Sequence, residues 1–154
     1  MVASQGWLVR RADPGDVDAM RELAREAYRP YVERIGREPA PMTADYGRAV
    51  DAGRAWVAQR GDHLVGLLVV EPTDDHLLLE NVAVLPRAQR LGVGSRLLQL
   101  AEEQARERGL SEVRLYTNEA MTENLAYYSR RGYRETHRAT QDGFRRVFFV
   151  KELG

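Results

Sequence analysis

Val82-Ala83-Val84-Leu85-Pro86-Arg87-Ala88-Gln89-Arg90-Leu91-Gly92-Val93-Gly94-Ser95 is an apolar run that a proline stops, a basic turn, and two glycines one residue apart. Helical spacing begins directly after it, with Val93, Leu97, Leu100, Ala101 and Ala105 on one face and Gly109 as a suitable C-terminal stop. This is a strand–loop–helix joint. Glycines there allow close backbone approach, and the first-turn amides of the helix have no intrahelical partner. The helix dipole adds partial positive charge, so the joint suits a phosphate or pyrophosphate. Arg87, Arg90 and Arg96 offer further charge nearby. An isolated Gly-x-Gly is otherwise only a turn, with its arginines in water.

Upstream, residues 77–85 are apolar on both faces apart from Glu80 and Asn81. That pattern fits a strand covered on both sides, where two polar residues need a reason. Residues 55–58 and 63–71, joined by Gly61-Asp62, read as a hairpin. Near the start, residues 7–10 form a short strand, and Asp13 followed by Pro14 opens a helix carrying Val17, Met20, Ala24, Ala27 and Tyr31 on one face. Residues 29–43 are expected to form a loop broken by Gly36, Pro39 and Pro41, with a second short helix over 44–52. Downstream, 113–117 is a strand and 122–131 a shorter helix ending at Gly132; 136–142 is expected to turn, and 147–151 closes the sheet. The order β-α-α-β-β-β-α-β-α-β-β gives an α/β fold, a mixed, mainly antiparallel sheet flanked by helices.

A length of 154 residues suits one domain covering 1–154. Apolar residues make up 44% and charged residues 30%, and Lys plus Arg equals Asp plus Glu at 23 each. A chain of zero net charge is not held to nucleic acid or to an anionic membrane by bulk charge. With no cysteine, disulfide scaffolds, zinc–thiolate sites and cysteine nucleophiles are excluded. The longest apolar run, 64–70, is far too short to span a bilayer, and the first residues carry no apolar signal core, so a cytoplasmic location is expected.

Two nucleotide-binding readings of the loop fail on its letters. A dinucleotide fingerprint needs glycine where Leu97 stands, and a Walker loop needs a lysine between Gly94 and Ser95. Gln89-x-x-Gly92-x-Gly94 after Val-Ala-Val resembles instead the acyl-CoA signature of the GNAT N-acetyltransferase superfamily. Asn124-Leu125-Ala126-Tyr127-Tyr128-Ser129-Arg130-Arg131-Gly132-Tyr133 is similar to that family's second segment, a helix with tyrosine four residues before a glycine–aromatic pair. The element order agrees with it as well.

The resemblance implies acetyl-CoA as co-substrate, with the pantetheine arm along Val82, Ala83 and Val84. It implies the pyrophosphate at the loop of Gln89, Arg90, Leu91, Gly92, Val93, Gly94 and Ser95, and Asn124 near the thioester. The family often has its helix asparagine seven residues before the tyrosine, where this chain has Met121. Tyr128 is assigned as the acid that protonates the departing thiolate, since a tyrosine near pKa 10 can serve a thiol near 8.5. The alternative is a core aromatic. Glu80 is the general base, directly or through a water, or else a structural carboxylate; it shares parity with Val82 and Val84 unless a bulge intervenes. His76 is a weaker choice, and His63, His76 and His137 lack metal-ligand spacing, so no metal is expected.

By the same resemblance, the loop after the first helix covers the acceptor cleft, with Tyr28 and Tyr31 as substrate contacts and Arg34, Met42 and Tyr46 nearby. The expected partner is a small-molecule or peptide amine, without nucleic acid or membrane. An apolar final strand at 147–151 makes a homodimer through a free edge plausible. A non-catalytic acyl-CoA sensor is the competing reading; a Tyr128 hydroxyl facing the core, with no open cleft, would favour it.

Overall fold

The computed structural model describes residues 6–154. In chain order the strands are β1 Leu8–Arg11, β2 Ala55–Arg60, β3 His63–Pro72, β4 Leu77–Val84, β5 Glu112–Asn118, β6 Arg134–Gln141 and β7 Phe144–Glu152. The helices are α1 Val17–Ile35, α2 Tyr46–Asp51, α3 Val93–Glu107 and α4 Thr122–Arg130, with short 3-10 turns at Pro14–Asp16, Ala40–Met42 and Pro86–Leu91. The seven strands form one sheet in the order β1-β2-β3-β4-β5-β7-β6, antiparallel except at β4–β5. The expected element order and fold class are those observed.

Hydrophobic burial explains most of these boundaries. β3 is a continuous buried run from Val65 to Val70, because helices cover both its faces. At Gly66, α3 sits directly on the sheet: an added Cβ would lie 2.8 Å from Val93 Cγ1 and 3.2 Å from Leu97 Cδ1. The first helix begins as expected on an Asp13 cap, with the Asp16 carboxylate returning a bond to the Asp13 amide at 2.8 Å. Asp16 is also held by Arg10 at 2.8 and 2.9 Å.

Three expectations are corrected. α1 does not end near residue 29 but continues through Pro30 to Gly36, whose φ of 86° stops it in the left-handed region. Its last turn meets α4 through an exposed bidentate pair, the Arg34 guanidinium donating to the Glu123 carboxylate at 2.7 and 2.9 Å. Residues 136–142 are not a turn. Strand β6 runs to Gln141, and the reversal is confined to Asp142-Gly143, both at positive φ (53° and 80°). Finally, 147–151 is no sheet edge, because β7 lies between β5 and β6. The edge on that side is β6, whose residues are almost all exposed and polar, so the proposed route to a dimer through an apolar free strand is absent.

The feature that positions the site is a split in the sheet. β4 and β5 pair only at Leu77–Val113 and Leu78–Arg114 and then part. Beyond Leu78 one edge of β4 is open, and the joint from β4 into α3 lies at its far end.

Candidate active site

The Leu85 amide donates to the Val65 carbonyl at 2.9 Å, so by antiparallel alternation Ala83 also spends its backbone groups on β3. Val82 and Val84 turn theirs to the open side. The observed bonds agree, since the Val82 carbonyl accepts from the Tyr28 hydroxyl at 3.1 Å and the Val84 carbonyl from Gln89 Nε2 at 3.5 Å. Register shifts between Val69 and Val70, which makes Glu80 the extra residue of a bulge. Even so, burial alternates along β4, leaving Leu78, Glu80, Val82 and Val84 half-buried on one side.

The 3-10 turn Pro86–Leu91 delivers the chain to Gly92, whose φ of 84° is where glycine is at ease. No side chain caps α3, so its first amides stay open toward the split. Gly94 has a different reason for being small. A Cβ there would lie 2.8 Å from the Tyr127 hydroxyl, so the close approach it allows is that of α4. Arg131 stacks on the Tyr127 ring at 3.7 Å and donates to Ser95 Oγ at 3.1 Å, bringing a cation to the helix start. Arg87 and Arg96 are paired with Glu26 and Glu103 at 3.2 and 3.4 Å.

A cavity of about 500 Å³ occupies the opening between β4 and β5 and extends under α2. It brings together Tyr28, Glu80, Val82, Asn124 and Tyr128, which are far apart in the chain. Tyr31 is not among its lining residues, nor are Arg34 and Met42. Tyr31 lies under the Arg34 guanidinium at 5.1 Å on the α1–α4 contact instead. His76 bonds Asp75 at 2.6 Å and lines a separate hollow with His137 and Phe148, away from Tyr128.

Tyr128 is wedged among Tyr127, Tyr133 and Phe149, with ring centroids 5.5, 5.7 and 6.0 Å away. Among the described residues its hydroxyl has no hydrogen-bond partner, although the residue lines the cavity. Burial pushes its pKa well above the ordinary tyrosine range, so the proton stays on. Glu80 is half-buried with its carboxylate 3.5 Å from Arg54. Its pKa is raised, first by burial and next by the neighbouring Glu71, while Arg54 opposes the shift. Asn124 donates to Thr117 Oγ1 at 3.2 Å and to Met121 Sδ at 3.6 Å, which fastens α4 to the end of β5. Met121 thereby occupies the N-cap of α4.

The sequence reading missed the group that roofs the cavity. The Tyr28 hydroxyl donates to Asn81 Oδ1 at 2.7 Å, Asn81 Nδ2 donates to Tyr46 Oη at 2.7 Å, and the Tyr46 hydroxyl donates to the Pro41 carbonyl at 2.6 Å. This chain ties α1, β4, α2 and the Ala40–Met42 turn together. Its signal was present: Asn81 stood as a polar residue in an apolar strand. Arg54 and Arg146 also line the cavity and had no marker in the letters.

A family model described as the acetyltransferase (GNAT) family matches residues 17–133. The chain belongs to the GNAT acetyltransferase family. Among curated proteins, the probable N-acetyltransferase 14 of Xenopus tropicalis is 31% identical over 86 residues, covering 54% of this chain and 42% of that protein. The uncharacterized protein YxbD of Bacillus subtilis is 33% identical over 73 residues, covering 47% of this chain and 45% of that one. This chain thus spans less than half the length of these relatives. The PaiA N-acetyltransferase of Thermoplasma acidophilum, solved in complex with coenzyme A, superposes with a TM-score of 0.80 at 18% identity over 95% of this chain and 98% of that one. Ard1 of Thermoplasma volcanium gives 0.77 at 19% identity over 97% and 99%. At these identities the likeness establishes the GNAT fold.

Proposed function

We propose that this chain, acting as one domain, transfers the acetyl group of acetyl-CoA to a primary amine. The observation that carries the reading is the shared cavity, in which the tyrosine Tyr128, its hydroxyl without a hydrogen-bond partner among the described residues, and the half-buried carboxylate of Glu80, of raised pKa, line one space. The residues fit the co-substrate. Val82 and Val84 turn backbone amides toward an amide-bearing arm, while their carbonyls accept from Tyr28 and Gln89, and the first amides of α3 with Arg131 offer donors to phosphate oxygens. An open cavity lined by Tyr128 also favours catalysis over a sensing role.

Acetyl-CoA supplies an activated thioester carbonyl. The amine nitrogen attacks that carbon as the C–S bond breaks, with the electron pair leaving on sulfur. Glu80, or a water it holds, takes the proton that the amine nitrogen gives up. Tyr128 Oη gives its proton to the sulfur. Burial makes the tyrosine a weaker acid, but it raises the affinity of a thiolate for a proton in the same dry cavity for the same reason. Holding both reactants in line contributes most of the rate, and proton transfer adds roughly 10²–10⁴-fold.

Because Glu80 works ionised, kcat/KM should rise with pH through an inflection above the ordinary carboxylate range. Arg54 holds that inflection down and Glu71 holds it up. Arg54→Met should therefore move it to higher pH, and Glu71→Gln to lower pH, while Glu80→Gln should remove it. Rates recorded from pH 5 to 9 with two acceptors of different amine pKa separate this inflection from the acceptor's own. An acid limb that none of the three substitutions moves would take Glu80 out of the reaction.

A further inference from the structure

Arg146 is a buried basic residue on the strand next to the β6 edge of the sheet. It lies on β7, opposite Asn118 of β5 and Ala139 of β6, and only 7% of its surface is exposed. Its guanidinium lies over the Tyr116 ring at 4.3 Å and faces Phe144 at 5.6 Å. Stacking engages the faces of the guanidinium plane and leaves its N–H edges for in-plane partners. Of the five donors, one nitrogen, Nη1, accounts for the hydrogen bond to Gln141 Oε1 at 3.0 Å. The nearest carboxylate, that of Asp142, is 3.7 Å from the same nitrogen and 84% exposed, a weak counter-charge in water.

A buried cation is costly unless an anion meets it. Arg146 lines the same cavity as Tyr128 and Glu80. Of the other charges on that wall, Arg48 and Glu71 are exposed to solvent, and two more are committed. Arg54 donates to the Val70 carbonyl at 2.8 Å and faces Glu80, and Asp45 caps α2 by accepting from the Arg48 amide at 3.0 Å. The cavity therefore has the carboxylates of Glu71 and Glu80 on its β3–β4 side with Arg54 beside them, the exposed Arg48 on α2, the buried guanidinium of Arg146 on its β7 side, and Leu78, Leu115, Tyr116 and Phe144 between them.

We propose that Arg146 is the specificity-determining residue for the acceptor, and that the acceptor is a small amine that also carries a carboxylate. Its amine lies toward Glu80 and Tyr128, and its carboxylate meets the free edge of Arg146 in a bidentate pair. This rests on the acetyltransferase reading of the same cavity.

The test uses matched pairs with and without the carboxylate: phenylalanine against phenethylamine, tyrosine against tyramine, and 4-aminobutyrate against butylamine. Thiol release from acetyl-CoA is followed for each. The carboxylate member of at least one pair should be preferred tenfold or more in kcat/KM. Arg146→Met should compress that ratio toward one, chiefly by raising KM, and Arg146→Lys should restore part of it; melting curves verify that both variants are folded. A second readout needs neither turnover nor the variants. The N-acetyl derivatives of the twenty amino acids, titrated into wild-type protein with CoA present, should include a binder that the corresponding N-acetyl amine does not match. Neutral amines turned over as well as their carboxylate partners would overturn the proposal. So would an Arg146→Met variant that keeps the full preference. Binding of acetyl-CoA with no carboxylate-bearing product bound would overturn it while leaving the acetyltransferase reading intact. Failure to bind acetyl-CoA at all would overturn both.

Discussion

Tyr128→Phe should lower kcat about 100-fold while leaving the acetyl-CoA dissociation constant within about twofold of wild type. The hydroxyl has no bonding partner among the described residues, so its removal breaks no internal hydrogen bond. The ring keeps its contacts with Tyr127, Tyr133 and Phe149. Unfolding free energy should accordingly change by less than about 0.5 kcal/mol. Most buried tyrosines give the opposite pattern, a loss of stability from an orphaned partner without any catalytic step at stake. The neighbouring Tyr133 provides the control. Its hydroxyl is buried without a partner and does not line the cavity, so Tyr133→Phe should leave turnover nearly as it was. Steady-state rates together with urea unfolding of both variants make the comparison. If Tyr128→Phe retains full turnover, Tyr128 is a core aromatic and nothing more.

Asn81→Ala should cost about 3 kcal/mol of stability, the largest loss expected from a single polar residue here. Asn81 is 7% exposed, and both ends of its amide are used, one by Tyr28 and the other by Tyr46. Removing it breaks two buried hydrogen bonds and leaves a void between α1, α2 and β4. Tyr46→Phe should cost less, about 1 kcal/mol, because Asn81 keeps its bond to Tyr28. Guanidinium unfolding measures both. A loss below about 1 kcal/mol for Asn81→Ala would mean that the roof of the cavity is held by packing alone. Loss of the bond should also show in catalysis, since Tyr28 of α1 and Tyr46 of α2 line the same cavity as Tyr128.

The parts of this molecule that were legible in the sequence are those whose cause is local. The strand–turn–glycine–helix joint at 82–95 and the tyrosine four residues before Gly132 set both the family and the placement of Tyr128 and Glu80 in one cavity. Periodicity placed α3 and β5 to within about two residues. Long-range effects were not legible. The last turn of α1 runs past Pro30 and pairs Arg34 with Glu123, a partner distant in sequence. Strand β6 carries no alternation, since nearly every side chain on it is exposed, and only the Asp142-Gly143 turn marks its end. Gly94 was read as room for a ligand, and in the fold that room is filled by Tyr127. Arg146 looks like one of two arginines in a basic pair on a strand. Only the pairing of β7 with both β5 and β6 turns it from solvent toward the cavity.

The opening between β4 and β5, ended by the first turn of α3, is the place proposed for acetyl-CoA. Calorimetric titration of the purified protein with acetyl-CoA, and with free CoA in parallel, tests it without any knowledge of the acceptor. Expected is saturable one-site binding in the micromolar range, about −8 kcal/mol, together with a rise in melting temperature that grows with ligand concentration. No heat at concentrations near 1 mM, a level at which even a binding energy of about −4 kcal/mol would register, together with no thermal stabilisation, would contradict it. The glycine joint would then be a structural turn, and the fold would stand here without a thioester to act on.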